Sequence, residues 1–150
     1  MENLSHKGTY ILILSFDRGR TIEVGKLGLI QFKRGTYAYV GSAFGPGGLK
    51  SRLRHHLGPK TKFHWHLDYL DGVTKEIWVS EPGARLEHEW ARSLGETSSG
   101  RIPGFGCSDC ACDSHLFYFK SLKLVQKARA ALRKNDSLHR LGTDLPTASK

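Results

Sequence analysis

Long apolar runs are missing from this 150-residue chain. None reaches the ~18 residues that a helix needs to cross a bilayer, so neither a membrane span nor a membrane partner is expected. The N-terminal segment Met1-Glu2-Asn3-Leu4-Ser5 lacks the basic and apolar regions of a secretory leader. Cysteine is scarce. Three residues, all between Cys107 and Cys112, are an odd number in a crowded stretch and do not make a disulfide framework. The expectation is a soluble cytoplasmic protein. No internal repeat and no second domain is visible, so residues 1–134 read as one domain and 135–150 as a loose tail.

Acidic residues are also sparse. From Val24 to Leu67 there is no Asp or Glu, while Lys26, Lys33, Arg34, Lys50, Arg52, Arg54, Lys60 and Lys62 all fall there. The formal net charge is +9. A solvated face usually mixes signs, so one sign over this length points to phosphate and hence to nucleic acid. A solubilising surface with acids supplied elsewhere in the fold is the alternative. A second acid-free stretch, between His115 and Asn135, carries Lys123, Lys127, Arg129, Arg133 and Lys134.

Strands and helices can be placed coarsely. Tyr10 to Leu14 is apolar at every position, as in a central strand covered on both faces. Asp17-Arg18-Gly19-Arg20 reads as a hairpin turn, with Thr21–Val24 returning from it. Leu29–Phe32 and Gly35–Gly41 are two more strands. Gly45-Pro46-Gly47-Gly48 is a loop, Leu49–Leu57 a short helix, and His64–Leu70 a helical turn. Glu76–Val79 is a strand, Ala84–Leu94 a helix, and residues 96–114 are irregular. His115–Phe119 and Leu122–Leu132 complete the pattern as strand and helix. The predicted class is α+β: a small, mainly antiparallel sheet flanked by helices.

Several chemistry-bearing residues fall into register. Tyr37, Tyr39 and Gly41 share a strand face because the side-chain period is two. Arg52 and His56 are four apart on a helix and share a face. A strand-end tyrosine and a helix arginine can therefore enter one cleft, where the guanidinium suits a phosphate. Glu87 falls at the edge of the apolar stripe Leu86, Trp90, Leu94, whereas Glu89 lies on the far side of it. A carboxylate there takes a metal or a neighbouring arginine as partner, or sits in an ordinary surface ion pair. Tyr37 reads as a core aromatic. Cys107, Cys110, Cys112 and His115 are zinc-ligand types, but four ligands in nine residues is cramped, and thiols packing a long loop are the alternative. His64 and His66 are two apart, which does not place both on one metal in a helix. They read as phosphate contacts or capping groups.

The order Gly8-Thr9-Tyr10, Tyr39-Val40-Gly41, Arg52-Leu53 with His56, and Leu86-Glu87 with Trp90-Ala91 resembles the GIY-YIG nuclease superfamily. Three longer segments, Tyr39–Ala43, His64–Leu70 and Phe105–Cys112, are similar to its small prokaryotic branch known as DUF123. Two departures stand out: Thr9 replaces isoleucine, and the gap from Tyr10 to Tyr39 leaves room for an extra hairpin.

The resemblance implies an endonuclease acting on DNA, with a divalent cation (Mg²⁺ or Mn²⁺) on Glu87 and Arg52 offsetting charge in the transition state. It implies a general base among Tyr10 and Tyr39, with His56 as rival, because a phenol has to be brought down from a pKa of about 10. A repair role rests on relatives fused to DNA glycosylase-type enzymes. Nucleic-acid contacts are expected from Lys33, Arg34, Lys50, Arg54, Lys60, Lys62, His64 and His66. A module that binds nucleic acid without cutting it, and a docking domain that uses the cysteine loop, are the competing expectations.

Overall fold

The computed structural model describes residues 4–59, 63, 65–106, 112–135 and 138–141, with the side chains of 134, 135 and 141 excepted. Lys60, Lys62, His64, Cys107 and Cys110 lie outside them. Among the described residues no helix is long and apolar enough to cross a membrane.

The all-apolar run becomes β1 (Gly8–Phe16), the middle of an antiparallel sheet. On one side it pairs with β4 (Gly35–Ala43) without interruption from Gly8↔Ala43 to Phe16↔Gly35. On the other it pairs with β5 (Val73–Ser80), with a register shift after Ile13. The edges are added by β6 (Gly100–Arg101) and β7 (Leu116–Phe119) beyond β4, and by β8 (Leu138–Leu141) beyond β5.

Alternation along β1 and β4 divides the core in two. Tyr10, Leu12, Leu14, Tyr37 and Tyr39 face a cluster that includes Leu49 and Leu53 of α1 (Gly48–Leu57). Ile11, Ile13, Ala38 and Val40 face a second cluster. That cluster holds Trp90, Ala91 and Leu94 of α2 (Glu87–Thr97) and Val125, Ala128 and Leu132 of α3 (Leu122–Asn135). The two basic helices therefore lie on opposite faces of the sheet, and one flat phosphate surface does not span both.

The extra hairpin is real but differs from its sequence reading. β2 (Arg20–Glu23) does not return along β1; it pairs with β3 (Leu29–Phe32) in a separate two-stranded sheet. Phe16, Phe32 and Tyr37 hold that hairpin to the main sheet with ring centroids 5.5–5.8 Å apart. The insertion leaves the β1–β4 register intact.

Helix α1 begins where it does because of glycine. Gly48 has φ +61°, and a Cβ there would run into the Ser5 and His6 carbonyls. The close approach lets Leu49 and Lys50 donate their amides to His6 and Leu4 carbonyls (3.0 and 2.7 Å), so the first turn is capped by the N-terminal segment.

Several boundaries depart from the sequence reading: α2 runs on to Thr97, β5 starts at Val73 and α3 reaches Asn135. Helix α2 starts three residues later than expected, at Glu87, and the tail contains β8. In β8, Leu138 is buried in the second cluster, and Glu76 of β5 meets Arg140 at 3.1 Å. Leu138→Ala is expected to cost about 2 kcal/mol in chemical denaturation; a loose tail predicts no change.

Candidate functional site

The two tripeptides meet at one pair of the β1–β4 ladder, Tyr10 with Gly41. Tyr10 pairs with Gly41, Thr9 with Ser42 and Gly8 with Ala43. The tyrosine ring leans over its partner: a Cβ on Gly41 would lie 2.5 Å from the Tyr10 hydroxyl and 2.6 Å from Cζ. Glycine at 41 is thus a space requirement set by the Tyr10 side chain.

Thr9 points to the other face and fixes the entry to α2. Its Oγ1 donates to the Ala84 carbonyl and accepts from the Leu86 amide, both at 2.9 Å. Leu86 precedes Glu87, so the Thr9 side chain positions the carboxylate. The bonds also explain the late start of α2: Thr9 holds residues 84–86 out of helical geometry.

Arg52 and Glu87 come from helices on opposite faces of the sheet and meet at Ser42, near the end of β4. Arg52 Nη1 donates to the Ser42 carbonyl (2.9 Å), and Ser42 Oγ donates to Glu87 Oε1 (3.2 Å). Behind them Tyr10 and Tyr39 lie with ring centroids 6.4 Å apart. The Arg52 guanidinium stacks on Trp65, 4.2 Å from its ring centroid. The five residues expected to carry the chemistry therefore share one corner of the molecule.

Two charges are well defined there. Burial alone would raise the Glu87 pKa, but hydrogen bonds and positive potential from His115, with the Ser42 hydroxyl and His88, hold it below the ordinary glutamate range. His115 Nδ1 stands 3.1 Å from Glu87 Oε2. The carboxylate is ionised at neutral pH and its side chain is 26% exposed, so it can be reached by a cation.

Tyr10 behaves oppositely. Burial drives its pKa well above that of a free phenol, and Arg52 offsets only part of this. Tyr39 is likewise raised, by burial first and then by Tyr10 and Glu87. Both are neutral hydroxyls. Tyr10 OH is 2.7 Å from His56 Nε2. The phenol donates this bond when the imidazole carries its proton on Nδ1.

His56 in turn is backed by an acid. Its Nδ1 faces Asp68 Oδ1 at 3.9 Å, while Asp68 accepts from the Trp65 amide at 3.0 Å and pairs with His55 Nε2 at 2.9 Å. The Asp68 side chain is fully buried, which is sustained by those partners. Asp68, Thr9, Ser42 and His88 are site residues that motif reading passes over. One signal was present: Asp68 is the residue that ends the acid-free stretch.

The other expected residues are scattered. Lys50 and Arg54 are exposed on α1, but each is two residues from Arg52 and so is turned away from its face. Lys33 and Arg34 stand before the opposite end of β4, with Lys33 Nζ over the Tyr118 ring. His66, in the 3₁₀ turn His66–Tyr69, accepts the Gly106 amide at Nδ1 (2.7 Å) and has its pKa lowered by burial. It is a neutral tie between two loops, an arrangement closer to the capping expectation than to the phosphate one. Tyr37 is a core residue whose hydroxyl donates to the Lys33 carbonyl, and burial pushes its pKa up to about 12. Cys112 and His115 stand near His88 at the start of α2.

Fold and corner together define an α+β domain with a Tyr10–His56 hydrogen bond, a buried aspartate, a stacked arginine and an ionised glutamate at one end of an antiparallel sheet. Residues 9–137 match the family described as domain of unknown function DUF123, and the chain belongs to that family. No curated protein and no solved structure matches it.

Two outcomes check this geometry. Gly41→Ala forces the Tyr10 ring aside and is expected to destabilise the fold by about 1–3 kcal/mol in urea unfolding. Glu87→Gln tests the carboxylate. A lowered folded pKa means that the unfolded chain binds more protons, so this stabilisation is complete above the ordinary glutamate pKa of about 4.3 and is lost as pH falls through the folded value. Wild type and Glu87→Gln are therefore expected to differ in Tm at neutral pH and to converge in acid.

Proposed function

We propose that this domain is a GIY-YIG-type, metal-dependent endonuclease that hydrolyses phosphodiester bonds in DNA in the cytoplasm, with repair as its setting. The observation that supports the reading most is the meeting of Arg52 and Glu87 at Ser42, beside the paired tyrosines. A cation and an anion held on two atoms of one serine suit a phosphate on the first and a hard cation on the second.

Glu87 fits Mg²⁺ or Mn²⁺ because it is ionised and partly exposed, and Mg²⁺ keeps several waters on few carboxylates. Such an ion, when bound, supplies positive charge to the phosphate oxygens. The chain's own residues carry the rest. Arg52 holds the phosphate in a direction fixed by Trp65 and the Ser42 carbonyl, so little reorganisation accompanies the build-up of charge. Tyr10 takes the proton from the attacking water as it gives its own to His56 Nε2. Asp68, 3.9 Å from His56 Nδ1, is too distant for a hydrogen bond and contributes negative charge that favours the imidazolium. The relay answers the difficulty of a high phenol pKa: no free phenolate forms.

The burial that keeps Tyr10 and Tyr39 protonated favours a second reading, a module that binds nucleic acid and does not cut it. A panel of flap, nicked, abasic and single-stranded DNAs plus RNA, with and without Mg²⁺, separates the two. Hydrolysis predicts Mg²⁺-dependent cleavage that Glu87→Ala lowers by at least about 10²-fold while salt-sensitive binding persists. Cleavage in EDTA, or full activity of the variant, sinks the catalytic reading. Binding that ignores salt sinks both.

A further inference from the structure

The start of α2 and the segment leading into β7 bring three metal-ligating side chains together. His88, Cys112 and His115 each offer one ligand atom, and these atoms all lie within 4.8 Å of one another. His88 Nδ1 is 3.0 Å from Cys112 Sγ, and the His88 and His115 rings have centroids 6.2 Å apart. Cys112 carries a thiol rather than a disulfide. Bonds of 2.0–2.3 Å to a tetrahedral ion separate neighbouring ligand atoms by about 3.4–3.7 Å. The observed separations bracket that edge, so small side-chain rotations bring all three onto one ion.

We infer that His88, Cys112 and His115 form a binding site for a zinc-class ion, distinct from the carboxylate site at Glu87. One thiolate and two imidazoles are a borderline-soft donor set that selects zinc-class ions and rejects Mg²⁺ and Ca²⁺. The cramped run of cysteines no longer has to supply every ligand, because His88 reaches in from a helix 24 residues earlier in the chain than Cys112. A cavity of about 370 Å³ beside α2 is lined by His88 and Cys112 and gives the ion a path and a place for water. Binding releases the Cys112 proton and crosslinks the first turn of α2 to the approach to β7. His115 also touches Glu87, so the crosslink sets the direction of the neighbouring carboxylate.

The test uses the full chain, stripped with a chelator and titrated with Co²⁺ as the probe. The expected result is about one equivalent bound per chain, with the near-ultraviolet thiolate-to-cobalt band and the visible absorption of a four-coordinate ion. Zn²⁺ displaces it, and a large excess of Mg²⁺ does not. Cys112→Ser removes the thiolate band. His88→Ala, at an exposed helix position that does not endanger folding, weakens Co²⁺ binding at least about tenfold. Cobalt spectra without sulfur ligation, or unchanged affinity in both variants, overturn the site. The band is read without a nuclease assay, so this result stands or falls separately from cleavage.

Discussion

The pairing of β1 with β4 is the constraint on which the corner depends. One register places Tyr10 over Gly41 on one face and Thr9 beside Ser42 on the other. From it follow the room for the Tyr10 ring, the bond from Arg52 to the Ser42 carbonyl, and the hydroxyls of Thr9 and Ser42 that aim Glu87. A slip of one residue would send every side chain to the wrong face and dissolve all of these contacts together. Two tripeptides far apart in sequence thus act as the halves of one mechanical joint.

The joint also explains how helices on opposite faces of a sheet serve a single site. Arg52 comes from the α1 side and Glu87 from the α2 side, and each reaches the end of β4 rather than its middle. Sheet ends are where both faces are accessible at once. Burial then sorts the groups by charge. The hydroxyls of Tyr10 and Tyr39 stay neutral, while Glu87, which has hydrogen-bond donors, stays ionised.

Much of this was legible in the residues, for identifiable reasons. The apolar run of β1 and the glycines around α1 are local signals, so the fold class, the order of strands and the shared face of Arg52 and His56 followed from short windows. Long-range contacts were not legible. Helix α2 begins at Glu87 because Thr9, some 75 residues earlier, competes for the backbone of residues 84–86, and no window contains both. It continues past Gly95 to Thr97. Strand β8 exists because β5 offers it an edge. His88 escaped notice because nothing near it in sequence marks it as the partner of Cys112. Asp68 was visible as the acid that breaks a basic stretch, but its burial beneath His55 and His56 is a property of packing.

The placement of β4 has a consequence for how the protein is made. It is flanked by β1, which precedes it, and by β7, which follows more than a hundred residues after β1. A nascent chain that has emerged only through α1 holds both phenols, the guanidinium and His56, yet has no Asp68, Glu87 or His115. Contacts of such long sequence separation close late and slowly. Arg52 therefore precedes Glu87 in order of synthesis, and the corner is completed only when the chain through His115 has left the ribosome.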